Sequence, residues 1–195
     1  MLPVPVYGIY YAALINININ TGFLLIFKHL MQELYYTYYQ SPVGLIKIAG
    51  TDTVICEVEF VKEGEGILHG EPGISDVMHN CTEQLIEYFH GNRLSFDLPV
   101  MQTGTEFQNR VWKELMEINY GRTISYMDLA KRLGDPNCIR AAAAANGKNK
   151  IAIIIPCHRV IGTDRSLTGY AGGLPRKKWL LGHEFKIAHG VQTLF

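Results

Sequence analysis

The aliphatic run Ile151-Ala152-Ile153-Ile154-Ile155, closed by Pro156, constrains the fold of this chain more than any other segment. A short unbroken apolar run predicts a strand buried on both faces. Proline then ends the pairing, because it has no N–H to donate. Such a strand carries the residues after it, Cys157, His158, Arg159 and Val160, from the core to the mouth of a pocket. A free thiol titrates near about 8.5, and an adjacent imidazole or a helix N-terminus lowers that value toward neutrality. The segment therefore predicts one activated thiolate at Cys157.

Composition limits what that thiolate serves. The length suits one domain or two small ones around a substantial core, and the apolar and charged fractions are those of a globular chain. Cys56, Cys81, Cys138 and Cys157 show no CxxC spacing, which speaks against a zinc cluster or a disulfide framework and suits a reducing cytoplasm. No stretch reaches the roughly 20 apolar residues of a membrane span. The formal net charge of zero hides an asymmetry. Residues 1–104 carry four Lys/Arg against eleven Asp/Glu, a net −7, whereas residues 105–195 carry fourteen against seven, a net +7. A basic half fits a polyanionic partner or a solvated basic face equally well.

Residues 1–34 carry no chemistry and no signal peptide; they read as a poorly ordered extension, with Met31 a candidate natural start. Residues 35–100 predict a small α/β module. Its strands span Tyr35 to Tyr39, Gly44 to Ala49 and Val54 to Val61, followed by a Gly- and acid-rich loop from Glu63 to Gly73. An amphipathic helix then runs from Val77 to His90, with Met78, Cys81, Leu85 and Tyr88/Phe89 on one face and Gly91 closing it. This module is functionally quiet. Residues 101–187 predict a mostly helical domain, and 188–195 a tail. Its first helix carries Phe107, Val111, Trp112, Leu115 and Met116 and is broken at Gly121. Two short helices, Ser125 to Leu133 and Cys138 to Asn146, flank Gly134 and the Asp135-Pro136-Asn137 turn, which is helix-turn-helix spacing. The second of them contains Arg140 followed by five alanines. Alanines cannot read base edges, but they allow close approach of a backbone to DNA while one arginine enters the duplex. A tightly packed core helix is the alternative.

Taken together, residues 105–184 resemble the active-site domain of the O6-alkylguanine-DNA alkyltransferases, or methylated-DNA–protein-cysteine methyltransferases. The resemblance rests on Gly104-Thr105-Glu106-Phe107-Gln108 with Val111-Trp112, on Thr123-Ile124-Ser125-Tyr126, on Arg140 and Asn146-Gly147-Lys148-Asn149, and on Ile153 to Gly162. It continues through Leu167 to Leu174 and Trp179-Leu180-Leu181 with His183-Glu184. It implies an α+β fold: a ribonuclease H-like N-terminal module followed by a winged-helix-like domain with a DNA-binding helix-turn-helix. It also implies a single-use reaction in which an alkylated guanine or thymine is flipped from duplex DNA and its alkyl group moves to Cys157, because the target atom lies inside the base stack.

By the same resemblance, His158 takes the thiol proton, Glu184 orients and charges the imidazole, Asn149 holds the turn before the nucleophile, and Tyr126 hydrogen-bonds the flipped base. Tyr170, Val160 and Gly172 wall the base pocket. Arg140 fills the gap in the stack, with Ala141, Ala142, Ala143 and Asn146 along the DNA. No cofactor or metal is implied, alkylated double-stranded DNA is the partner, no membrane or obligate protein partner is expected, and the protein acts as a cytoplasmic monomer.

Three positions depart from the family pattern: Lys150 and Asn119 stand where proline is usual, and Ala142-Ala143 stands for Val-Gly. Three rival functions stay open at the level of sequence. A non-enzymatic damage binder of this family has tryptophan in place of Cys157. A transcriptional regulator needs base-reading side chains on its second helix, and a thiol hydrolase leaves the basic half unexplained.

Overall fold

The computed structural model describes residues 34–62 and 74–190. The expected N-terminal extension (apart from Leu34), the loop from Glu63 to Gly73 and the end of the C-terminal tail lie outside the described residues. Strands β1 (Tyr35–Ser41), β2 (Gly44–Gly50) and β3 (Ile55–Phe60) form an antiparallel sheet in sequence order. A two-residue turn, Pro42-Val43, joins the first pair, with Ser41 Oγ accepting from Val43 N at 3.2 Å and donating to Gly44 O at 2.6 Å. Alternation along β2 and β3 sends Ile46, Ile48, Val58 and Phe60 into the core, and a register shift at Ala49/Gly50 brings Ile55 in beside them.

Helix α1 (Asp76–His90) covers that face. Ser75 caps its first turn by accepting from Met78 N, and Gly91 ends it in the left-handed conformation. Its buried stripe, Met78, Cys81, Leu85, Tyr88 and Phe89, is the one the sequence predicts.

In the second half, α2 (Glu106–Met116) and α3 (Tyr126–Arg132) both begin with capping boxes, Thr105 with Gln108 and Ser125 with Asp128. A 3₁₀ turn at Pro136–Cys138 leads into α4 (Ile139–Gly147), which completes the helix-turn-helix. Trp112 Nε1 donates to Ala145 O at 3.0 Å and fastens α2 to α4. Two-residue strands β4 (Ile124–Ser125) and β5 (Val160–Ile161) pair in parallel, and α5 (Leu174–His189) closes the fold. Helix α2 stops at Met116, earlier than the sequence suggests. Gly121 makes a separate turn at φ +68°, where a Cβ would come within 2.5 Å of Ala188 Cβ.

The segment that dominates the sequence is buried as predicted but is not a strand. Only Ile151 bridges to a strand, beside Val58. Beyond it the backbone coils on itself: Ile155 N donates to Ile151 O at 3.0 Å, Ile154 N to Ala152 O at 2.9 Å, and Cys157 N to Ile155 O at 2.8 Å. Ile153 sits at φ +73°, a strained value for a β-branched residue. Two causes act together. Strand β3 ends at Phe60, so among the described residues no strand neighbours the end of the run, and the Asn149 side chain captures the carbonyls of Ile151 and Ile155 in place of a ladder.

The free edge of β3 arranges the site. Near its start it pairs with the segment after Pro99, through Ile55 N to Pro99 O at 2.8 Å and Met101 N to Ile55 O at 2.9 Å. Three residues on it takes the coiled segment, through Val58 N to Lys150 O and Ala152 N to Val58 O, both 2.8 Å. One strand of the N-terminal module thus positions both Gln102 and the turn before Cys157.

Candidate active site

Cys157 and His158 lie on a single 3₁₀ turn, Cys157–Arg159, and both are buried. Asn149 Nδ2 donates to Cys157 Sγ at 3.1 Å and to Ile155 O at 2.8 Å, while Asn149 Oδ1 accepts from Ile151 N at 3.0 Å. The cation that acts on the sulfur is Lys177, whose side chain is fully buried. Its ammonium donates to Val160 O and Thr168 O, each at 2.7 Å, and lies 5.9 Å from the Tyr126 ring centroid. Burial lowers the Lys177 pKa to about 8.

Burial also governs the thiol. It raises the Cys157 pKa above the ordinary cysteine value, and the Asn149 hydrogen bond and Lys177 charge offset only part of that rise. The sequence-based expectation of a thiol lowered by its neighbours is therefore reversed, and the resting group is a protonated thiol that needs a base.

His158 is built to be that base. Its Nε2 lies 2.8 Å from Glu184 Oε1. A carboxylate can only accept, so Nε2 carries the proton and Nδ1 the lone pair. Nδ1 is buried and has no hydrogen-bond partner among the described residues. Burial lowers the His158 pKa; the Glu184 charge opposes this, but Arg159 already neutralises that charge.

Glu184 is the most heavily bonded side chain of the site. It accepts from Tyr88 OH (2.9 Å), Gly121 N (3.2 Å), Arg159 Nε (2.9 Å) and Arg159 Nη2 (3.0 Å), besides His158. These partners hold its carboxyl far below the usual carboxylate range despite burial.

A cysteine, a neutral imidazole with a free lone pair and a buried carboxylate form the Cys–His–carboxylate logic of an activated nucleophile. The chain carrying them matches two family models, the 6-O-methylguanine DNA methyltransferase DNA-binding domain over residues 106–186 and the ribonuclease-like domain of the same family over 34–102. Curated relatives named methylated-DNA–protein-cysteine methyltransferase include one from Mycolicibacterium paratuberculosis, 42% identical over 161 residues, covering 82% of this chain and 98% of the relative. Another, from Methanosarcina acetivorans, is 43% identical over 76% of this chain and 96% of its own length. The chain belongs to the 6-O-methylguanine DNA methyltransferase family. Its fold matches the crystal structure of Mycobacterium tuberculosis O6-methylguanine methyltransferase at TM-score 0.73 and 39% identity, over 82% of this chain and 97% of that one. A crystal structure of Mycobacterium tuberculosis OGT in complex with DNA matches at TM-score 0.71 and 41% identity, over 78% and 93%.

The site residues expected of such a methyltransferase divide. Cys157, His158, Glu184 and Asn149 form one connected cluster. Tyr126 borders it through a 3.5 Å contact from Asn146 Nδ2, and burial raises its pKa, so it remains a phenol. The Tyr170 ring packs edge-on to His158 at 6.4 Å between centroids, with its hydroxyl buried and without a partner among the described residues. Val160 is a core residue whose carbonyl is taken by Lys177. Gly172 is required by packing: a Cβ there would meet the rings of Phe60 and Tyr170 at 2.7 and 2.8 Å.

The expected DNA-facing row needs correction. Arg140 and Ala141 are exposed, and Ala143 is half-buried. Ala142 is fully buried, and Asn146 is buried with Nδ2 3.4 Å from Cys157 O. Two residues in the row therefore face inward, because α4 spends one side on the core and only the opposite side reaches solvent.

Sequence reasoning missed Arg159, Tyr88, Gln102 and Lys177. Tyr88 is the instructive case: its apolar ring marked it as core, while its hydroxyl reaches Glu184 from a module that looked functionally quiet. Among the described residues no cluster of three or more His, Cys, Asp or Glu is placed to hold a metal ion, and no helix is long and apolar enough to cross a membrane.

Proposed function

We propose that this chain repairs DNA by direct reversal, moving the alkyl group of O6-alkylguanine, and of O4-alkylthymine, from duplex DNA onto its own Cys157 in a single-use reaction. The observation that carries this reading is the buried Cys157, held by Asn149 and adjoining a His158 whose lone pair is free and whose other nitrogen is fixed by Glu184. His158 accepts the thiol proton, and the Glu184 carboxylate stabilises the imidazolium that results. The sulfur attacks the alkyl carbon; the S–C bond forms as the O6–C bond breaks, and the electron pair of the broken bond stays on the base. Tyr126, a protonated phenol, donates a hydrogen bond to the base as that charge develops. Alkylated DNA is itself the donor, so the reaction as written needs no cofactor.

The base reaches the pocket by rotation out of the stack. Arg140, exposed near the start of α4, takes its place, while Ala141 keeps the helix surface low at the DNA. Phosphate contacts from the basic half supply most of the affinity, so binding weakens as salt rises. The N-terminal α/β module (35–100) holds the turn before the nucleophile, and residues 101–187 carry the DNA-binding surface. The protein acts as a monomer, one molecule per lesion, in the reducing cytoplasm.

The test mixes the protein with a duplex oligonucleotide bearing one O6-methylguanine, beside a Cys157→Ala control. Peptide mass spectrometry should find one methyl on Cys157 and one lesion lost per protein molecule. Lesion binding without transfer would make the chain a damage-recognition protein, and repeated turnover of an ester would make it a thiol hydrolase.

A further inference from the structure

Gln102 lies outside the cysteine cluster, on the segment that pairs with β3. Its two amide atoms are both engaged at the turn before Cys157. Gln102 Oε1 accepts from Lys150 N at 2.9 Å, and Gln102 Nε2 donates to Asn149 Oδ1 at 3.1 Å. The contacts admit one orientation of each amide. A backbone N–H can only donate, so Lys150 fixes the Gln102 oxygen in place. The Gln102 nitrogen must then face Asn149, and a donor there requires the Asn149 oxygen. Ile151 N, at 3.0 Å, is a second donor to that same oxygen. With Oδ1 so held, Asn149 presents Nδ2 to Cys157 Sγ.

We propose that Gln102 is a positioning residue, which orients the Asn149 amide so that its N–H, and not its carbonyl oxygen, faces the reacting sulfur of Cys157. The device depends on a departure from the usual family pattern. Proline, the residue that the family resemblance leads one to expect at position 150, has no N–H; Lys150 supplies the one that anchors Gln102. A backbone donor and a side-chain clamp thereby do here what a rigid ring does by restricting its own φ. This role presupposes Cys157 as the nucleophile, but its test does not require DNA.

Two variants decide it. Gln102→Met removes both polar atoms at similar size. Gln102→Glu keeps the acceptor for Lys150 but sets a second oxygen against Asn149 Oδ1; because Ile155 O and Ile151 N oppose turning the amide over, the repulsion displaces Asn149 from Cys157 Sγ. The rate of Cys157 alkylation by iodoacetamide is followed against pH, peptide by peptide, so that Cys56, Cys81 and Cys138 serve as internal references. His158 on the same turn, Tyr126 on α3, Tyr170 on the loop preceding α5, and Lys177 on α5 surround the sulfur and are common to all three proteins. Lys150 and its partner Glu57 are likewise unchanged. Loss of a hydrogen bond to a charged group moves the midpoint upward by about one pH unit, roughly tenfold in thiolate at neutral pH. The expected order of reactivity is wild type, then Gln102→Met, then Gln102→Glu, with the Glu variant recovering relative to wild type as its new carboxyl protonates at low pH.

A Cys157 midpoint that coincides with wild type in both variants, whatever happens to their melting temperatures, overturns the proposal. Should Gln102→Glu not fold, Gln102→Met decides alone. Wild-type protein that reacts with iodoacetamide but takes no methyl from DNA would refute the repair function and leave the positioning result standing.

Discussion

Replacing Glu184 by glutamine preserves shape and removes charge, and the surrounding donors determine how much that costs. Five of them converge on the carboxylate: Tyr88 OH, His158 Nε2 and Arg159 Nη2 on Oε1, and Arg159 Nε and Gly121 N on Oε2. An amide has one acceptor end. The less costly orientation keeps oxygen at the Oε1 position, since three donors point there, and sets an NH2 group against Arg159 Nε and Gly121 N. The guanidinium then stays buried without a countercharge. Removing one partner of a buried ion pair costs about 3–5 kcal/mol, a large share of the ~5–15 kcal/mol that holds a domain folded. For a chain of this size the melting temperature falls by on the order of 10 °C.

Because the amide oxygen still accepts from His158 Nε2, the imidazole keeps its tautomer and loses only the charge that stabilises its protonated form. Methyl transfer should therefore slow by on the order of 10² without becoming zero. The sign of the pH dependence is fixed as well. Glu184 has a depressed pKa in the folded state, so its contribution is fully present above the unfolded carboxylate value of about 4.3 and is lost as pH falls toward the folded value. Urea unfolding of both proteins at neutral pH and in mild acid, read by tryptophan fluorescence, should give a constant difference that closes only below about pH 4. A difference under about 1 kcal/mol at neutral pH would falsify this reasoning, since it would mean that the cluster behaves like a solvent-screened surface pair.

Other substitutions separate the parts of the site. His158 has a depressed pKa, so the unfolded state binds its proton first and stability should fall as pH drops below about 6.5; His158→Gln should flatten that limb of the unfolding profile. Lys177→Met removes the cation that acts on the sulfur, and the midpoint of Cys157 alkylation should move to higher pH. Lys150→Ala keeps the backbone N–H on Gln102 and loses only the exposed contact to Glu57 at 3.2 Å; it should cost less than about 1 kcal/mol in denaturant unfolding and leave the Cys157 midpoint in place. Arg140→Ala should weaken retention of a lesion-bearing duplex while leaving iodoacetamide reactivity at Cys157 unchanged, because that side chain is exposed on α4.

How much of the molecule the sequence made legible depends on the range over which each signal acts. Helix α1 was readable to within a residue, since its apolar stripe and its Gly91 stop are both local signals. The pair α3 and α4 was readable for the same reason. The run Ile151 to Ile155 was readable as buried but not as coiled, because apolar periodicity reports burial, whereas its conformation was decided by where β3 ends and by an asparagine side chain competing for its carbonyls. The sign of the Cys157 shift was out of reach likewise: an adjacent histidine is visible in a sequence, and the desolvation that outweighs it is not. Tyr88 and Gln102 carry this furthest. Each sits in or beside a module whose sequence offers no chemistry, and each reaches the cluster through one polar atom, the Tyr88 hydroxyl on Glu184 and the Gln102 amide on Asn149. The small sheet and its helix thus act on both ends of the cluster, fixing the carboxylate behind the base and the amide beside the nucleophile. Loosening α1 or the free edge of β3 should therefore alter the reactivity of Cys157 before it alters the binding of DNA.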